Sequence, residues 1–214
     1  MKQLQFRNLT TSPSKTRFTE WLIRENGLDE RGLKEWIFCP GMLFHAVAKW
    51  WGDKGLRSRP HEGLDLFLYR DRKGRIARLD EKTRIPVMFD GVVVSIINDF
   101  LGKSVIVEHL LPDRDPGRVC TIYGHTHPHN DLHVGWGVQQ GDIIATLADP
   151  GQSGFNVMPH LHISLGWIAK PVSYDRLNWD TIGASGMLTL LNPLDVITWP
   201  HYILDDTDPA CRAL

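Results

Sequence analysis

The chain has 214 residues, 42% hydrophobic and 23% charged, which suits one globular domain with an appendage and leaves ample material for a core. A formal net charge of -1 gives no electrostatic reason to expect nucleic acid or an anionic membrane surface as the main partner. No apolar run approaches the roughly 18 residues a transmembrane helix requires, and the polar start Met1–Asn8 lacks the apolar centre of a secretory signal.

Residues 1–42 read as an N-terminal helical extension. Ser14 can cap a helix carrying Phe18, Trp21 and Leu22 that ends near Gly27. Asp29 can open a second short helix with Leu33, Trp36 and Ile37 on one face, stopped by Pro40-Gly41. From Met42 the pattern turns to short strands, expected to form a domain over residues 43–200, with 201–214 a polar tail. Leu64–Tyr69 is an apolar run closed by a charged turn at Asp71–Gly74. Ile85–Phe89 and Val92–Ile97 flank Asp90-Gly91, a hairpin dipeptide. Val105–Val107, Val119–Tyr123 and Ile143–Leu147 continue the series, each bounded by turn-forming residues, and Gly151–Gly154 makes a loop. Many short strands with turns between them predict a mainly β fold, an antiparallel sandwich or barrel-like core.

Cys39, Cys120 and Cys211 are widely spaced, odd in number and form no C-x-x-C pair. That argues against a thiolate zinc site or a disulfide framework, and for buried, idle thiols. Trp50-Trp51 would send one ring inward and one outward, and only the outward ring could meet a ligand.

The chemistry gathers around Pro159-His160-Leu161-His162-Ile163. On a strand, His160 and His162 share one face and Leu161 takes the other. Upstream, His61 and Asp65 lie four apart. His61-Glu62 invites comparison with the H-E-x-x-H zinc helix, but the fourth position is Asp65, and Pro60 with Gly63 disfavours a helix. In an extended segment His61 and Asp65 again share a face and could converge on one ion. With one histidine of the 160/162 pair they make a three-ligand set with an open position, the pattern of catalytic zinc, although another divalent ion is possible.

These pieces together resemble the M23 zinc peptidases, the lysostaphin-like (LytM-type) cell-wall endopeptidases. The resemblance rests on His61-x-x-x-Asp65, Ile85-Pro86-Val87 leading to Asp90-Gly91, Val105–His109, Tyr123-Gly124-His125, Gly141-Asp142-Ile143 and Pro159-His160-Leu161-His162, with Asn192-Pro193-Leu194 like the usual exit from the domain. It implies zinc ligands His61, Asp65 and His162, and catalytic histidines His125 and His160, one drawing a proton from water and the other stabilising the oxyanion. It also implies a mainly antiparallel β fold with a narrow groove, a peptide of bacterial peptidoglycan as substrate, and work in the cell envelope or outside the cell. No export signal accompanies that expectation, so the cytoplasm stays open. The sequence departs from the family at Pro112–Arg118, which lengthens a loop, and at Met158, where the family has glycine. His109 is expected to be structural, and His127, His129 and His133 to be loop residues. Gly124-His125-Thr126-His127 also resembles the last motif of calcineurin-like metallophosphoesterases, but their early D-x-H and G-N-H-[DE] motifs are absent. The rival of another class is a catalytically silent M23-like module that binds or activates cell-wall hydrolysis. Such modules lack ligands, whereas all three ligands and both histidines are present here.

Overall fold

A computed structural model describes residues 14–110, 118–152, 157–168, 173–182 and 188–214. Of the expected loop insertion at Pro112–Arg118 only Arg118 is described, and Ser153 and Gly154 of the Gly151–Gly154 loop also lie outside the described residues. Among the described residues thirteen strands carry the fold: β1 (Leu33–Phe38), β2 (Leu64–Leu66), β3 (Leu68–Asp71), β4 (Ile76–Arg78), β5 (Arg84–Pro86), β6 (Gly91–Asn98), β7 (Lys103–Leu110), β8 (Arg118–Pro128), β9 (Gly137–Val138), β10 (Ile143–Leu147), β11 (Leu161–Ile168), β12 (Thr189–Leu191) and β13 (His201–Ile203). The helices are short: α1 (Phe18–Glu25), α2 (Trp179–Ile182) and α3 (Pro209–Arg212). The mainly β expectation holds, and among the described residues α1 is the one α-helix of the N-terminal region.

The larger sheet runs β12-β11-β8-β7-β6-β9, with β2 added beside β11 and β10 bridging β8 to β5; every pairing in it is antiparallel. Alternation divides its faces. Val105, Val107, Val119, Tyr123, Leu161, Ile163 and Leu165 enter the main core. Ile106, Cys120, Ile122 and Ile168 face the other way, where Leu177, Ile182 and Leu188 cover them. His162 belongs to this second face, because it alternates with Leu161 and Ile163 on β11.

Four details differ from the sequence reading. First, α1 starts at Phe18 with Arg17 as its N-cap, and no side chain caps it, so Ser14 does not serve. Second, the helix expected after Asp29 is strand β1. Its Trp36, Ile37 and Phe38 are fully or almost fully buried between β3 and β13, and pairing on both edges outweighs the helical spacing of the apolar residues. Third, Asp90-Gly91 does not close a hairpin: β5 pairs with β10, and β6 with β7 and β9. Gly91 is required for a different reason, since a Cβ there would run into the carbonyl oxygen of Glu108 on β7. Fourth, Cys39 and Cys211 form a disulfide, with Cα atoms 5.7 Å apart across 172 positions of sequence. Spacing could not reveal that pair, because β13 returns the end of the chain alongside β1 in parallel register. Cys120 is the free, buried thiol that was expected.

Candidate functional site

Strand register, more than any loop, brings the chemistry together. β2 runs antiparallel to β11 with Asp65 opposite His162. Gly63 allows the two strands to close, for a Cβ there would strike the Ile163 carbonyl oxygen and stand 2.7 Å from His162 Nε2. On the other side of β11, β8 sets Gly124 opposite His162, and a Cβ at Gly124 would lie 3.2 Å from that of the histidine. Both glycines therefore leave room for one imidazole.

His61, Asp65 and His162 are all buried and converge. Asp65 Oδ1 is 3.2 Å from His61 Nε2 and 2.9 Å from His162 Nδ1, and those two ring nitrogens are 3.1 Å apart. A tetrahedral zinc with bonds of about 2.0–2.2 Å keeps its donor atoms about 3.3–3.6 Å apart, so these atoms need to spread by only a few tenths of an ångström. Among the described residues this is the only group of three or more such side chains able to hold a metal ion.

The outer side of each member is also held. His61 Nδ1–H donates to the Leu43 carbonyl at 2.9 Å, which leaves Nε2 bare toward the group. Ser164 Oγ stands 2.9 Å from His162 Nε2, two residues along the same strand face. Trp50 Nε1–H donates to Asp65 Oδ2 at 2.7 Å, and the Arg57 guanidinium lies 3.7 Å from the same oxygen. Burial alone would push the Asp65 carboxyl up; His61, His160 and His162 outweigh it and hold that carboxyl well below the usual range. Burial pushes His162 down to about 4 and His160 down to about 3, against the pull of Asp65. At neutral pH His162 is thus a neutral imidazole and Asp65 a carboxylate, donors suited to a divalent cation.

His160 and His125 complete the surroundings. His160 Nδ1–H donates to the Met158 carbonyl at 2.8 Å, and its Nε2 is 3.8 Å from Asp65 Oδ1. The His125 ring lies 4.7 Å from that of His160 and 5.7 Å from that of His162, centroid to centroid. His125 has φ +60°, in the left-handed region a non-glycine residue seldom occupies. Its backbone N–H is held by Asp99 Oδ2 at 2.9 Å. These five residues line a cavity of about 190 Å³ with Trp51, Phe100 and Trp179 as aromatic walls. Trp51 stacks on Phe100 at 5.7 Å, and Trp179 meets His162 edge-on at 5.0 Å.

The five residues singled out from sequence are thus brought together. Trp50 and Trp51 divide as expected, one buried and one on the cavity wall, although neither lies on a strand. His109 is structural: buried among strands, it contacts the Asp90 carbonyl at 3.0 Å and Thr121 Oγ1 at 2.9 Å, and burial pushes it down to about 4. His127 is exposed near the end of β8, where a loop position was expected, and His129 and His133 are exposed beyond that strand. Sequence reasoning missed Ser164, Trp50 and Asp99. Only Ser164 had a signal, its alternation with His162; Trp50 and Asp99 reach the site through the fold.

Strand scaffold and His-Asp-His group together define a β protein built around a potential metal centre. A family model described as Peptidase family M23 matches residues 70–174, and over that stretch the chain is of the M23 type. The matched stretch includes His125, His160 and His162; His61 and Asp65 precede it and join the group through the pairing of β2 with β11. No curated protein matches the chain. Among solved structures, lysostaphin is similar at 21% identity and TM-score 0.37 over 57% of this chain and 43% of that one. The catalytic domain of a mutant of the prophage-encoded M23 protein EnpA from Enterococcus faecalis is similar at 22% identity and TM-score 0.37, over 60% of this chain and 86% of that one. Helicobacter pylori Csd3 is similar at 20% identity and TM-score 0.40, over 85% of this chain and 38% of that one. The chain therefore spans less than half the length of lysostaphin and of Csd3.

Proposed function

We propose that the chain is a zinc-dependent endopeptidase that hydrolyses a peptide bond in bacterial peptidoglycan, acting in the cell envelope or outside the cell. The observation that carries this reading is the approach of three donor atoms to within 2.9–3.2 Å of one another on the wall of a cleft that holds two further histidines. His61 Nε2, Asp65 Oδ1 and His162 Nδ1 would hold the ion. When bound, zinc lowers the pKa of water toward about 7 and polarises a carbonyl oxygen. His125 and His160 are the assisting pair, one accepting the proton that water gives up and the other stabilising negative charge on the carbonyl oxygen. Trp51, Phe100 and Trp179 enclose the cleft, restrict water and hold the peptide against these groups.

Digestion of purified peptidoglycan, with and without a chelator, tests the reading, with mass spectrometry of the released fragments. Chelator-sensitive release of peptide-cleaved fragments is expected. Zinc binding without any fragment release would favour the silent module instead, and no binding of a divalent ion would remove the metal centre altogether.

A further inference from the structure

Asp99 is absent from the ligand set and from the assisting pair, yet its carboxylate is the most heavily tied group near the cleft. Oδ1 accepts the backbone N–H of Leu101 at 2.9 Å and of Gly102 at 2.8 Å, which locks the β6–β7 turn. Oδ2 accepts the Ser104 hydroxyl at 2.6 Å and the backbone N–H of His125 at 2.9 Å. Ser104 in turn accepts from Trp179 Nε1–H at 3.1 Å, so a cleft wall and the carboxylate share one network. The side chain of Asp99 is fully buried. Burial would raise its carboxyl, but His125 and Ser104 outweigh it and hold it far below the usual range.

The same carboxylate faces the His125 ring. Nδ1 stands 3.2 Å from Asp99 Oδ1, is enclosed, and has no aligned hydrogen-bond partner among the described residues. An ionised carboxylate can only accept, so the favourable arrangement has the proton on Nδ1. We infer that Asp99 is the positioning residue of His125: its carboxylate holds the backbone in the left-handed conformation and, with Oδ1 3.2 Å from Nδ1, keeps the proton on Nδ1 and leaves Nε2 bare toward the cleft. The inference rests on the reading of His125 as an assisting histidine. Within that reading it gives the ring a definite task. A bare Nε2 can take a proton from water but cannot donate one to an oxyanion, and the carboxylate behind Nδ1 stabilises the imidazolium that results. His160 has no such carboxylate behind it, since its Nδ1–H points to the Met158 carbonyl.

The test compares the full-length protein with Asp99→Asn, each with and without added zinc. Nitrogen-15 spectra of the histidine rings report which nitrogen of His125 carries the proton, independently of turnover. Wild type is expected to show the Nδ1–H form and Asp99→Asn to lose it, while zinc content stays at the wild-type value. Turnover of a peptidoglycan fragment should fall by about 10²-fold with KM changed by less than about threefold, because orientation of a proton acceptor acts on the chemical step. An unchanged His125 ring signal in Asp99→Asn overturns the inference, whatever happens to the rate. If Asp99→Asn does not fold, Ser104→Ala removes one tie to Oδ2 without touching His125; a shift of the same ring signal supports the inference and its absence overturns it. A wild-type protein that cleaves no peptidoglycan removes the proposed function, and the ring spectra still decide what Asp99 does to His125.

Discussion

Trp50 offers a way to weaken the proposed metal centre without touching a ligand. Its Nε1–H donates to Asp65 Oδ2 at 2.7 Å, and its ring packs on Phe67 at 4.8 Å and on His160 at 5.0 Å. Trp50→Phe keeps an aromatic ring in the pocket and deletes the donor. Among the described residues Asp65 Oδ2 then retains the Arg57 guanidinium alone, at 3.7 Å and beyond hydrogen-bond reach. A hydrogen bond to an ionised carboxylate is worth about 1.5–3 kcal/mol, more than a neutral one. Loss of a partner that orients a ligand typically costs about 10–100-fold in metal affinity, or about 1.4–2.7 kcal/mol. The two figures agree, because both measure how firmly Oδ1 is aimed. Zinc affinity measured by competition with a chromogenic chelator should therefore fall by about 10–100-fold. Folding is expected to survive, since the ring still fills most of the site. If the variant binds zinc within about twofold of wild type, Asp65 is not oriented through Trp50, and the reasoning from its outer partners fails.

Other outcomes follow from the same geometry. His162→Ala should lose zinc and activity together, whereas His160→Ala and His125→Ala should keep zinc and lose turnover by about 10²-fold or more; wild-type cleavage by both of the latter would end the mechanism proposed. His109, buried and pushed down to about 4 from 6.5, binds protons less readily folded than unfolded. Its contribution is complete above about pH 6.5 and is lost as pH falls toward about 4, by at most about 3 kcal/mol. Urea denaturation of the zinc-loaded protein should show a shallower acid loss in His109→Gln, and equal slopes would count against this assignment. Thiol titration without reductant should find Cys120 unreactive in the native protein, its thiol raised to about 12 by burial, and a single reactive thiol after unfolding. Three reactive thiols after unfolding would show that Cys39 and Cys211 are not joined.

What could be read in the sequence divides along a physical line. The members of the metal group were legible because each pair is local, His61 with Asp65 and His160 with His162, although His61 and His160 lie just before β2 and β11 and the chain bends at Glu62 and Gly63. The meeting of the two pairs depends on β2 joining β11; the count of ligands a catalytic zinc needs suggested that they meet, and the resemblance to a family singled out His162. Local signals failed where a distant partner decides the outcome. The apolar spacing after Asp29 is compatible with a helix, but β3 and β13 supply partners on both edges and make it a strand. Asp90-Gly91 has hairpin chemistry, yet the glycine is needed because β7 passes too close for a side chain. Cys39 and Cys211 are as far apart in sequence as any contact in the small sheet and close only when β13 lies beside β1. Trp50 and Asp99 belong to this second kind. Each holds the far side of a residue whose near side faces the cleft, and such support is set by three-dimensional contact alone. The ligands of such a site are therefore legible as motifs before the groups that aim them, and Trp50 and Asp99 are where substitutions should separate metal binding from proton transfer.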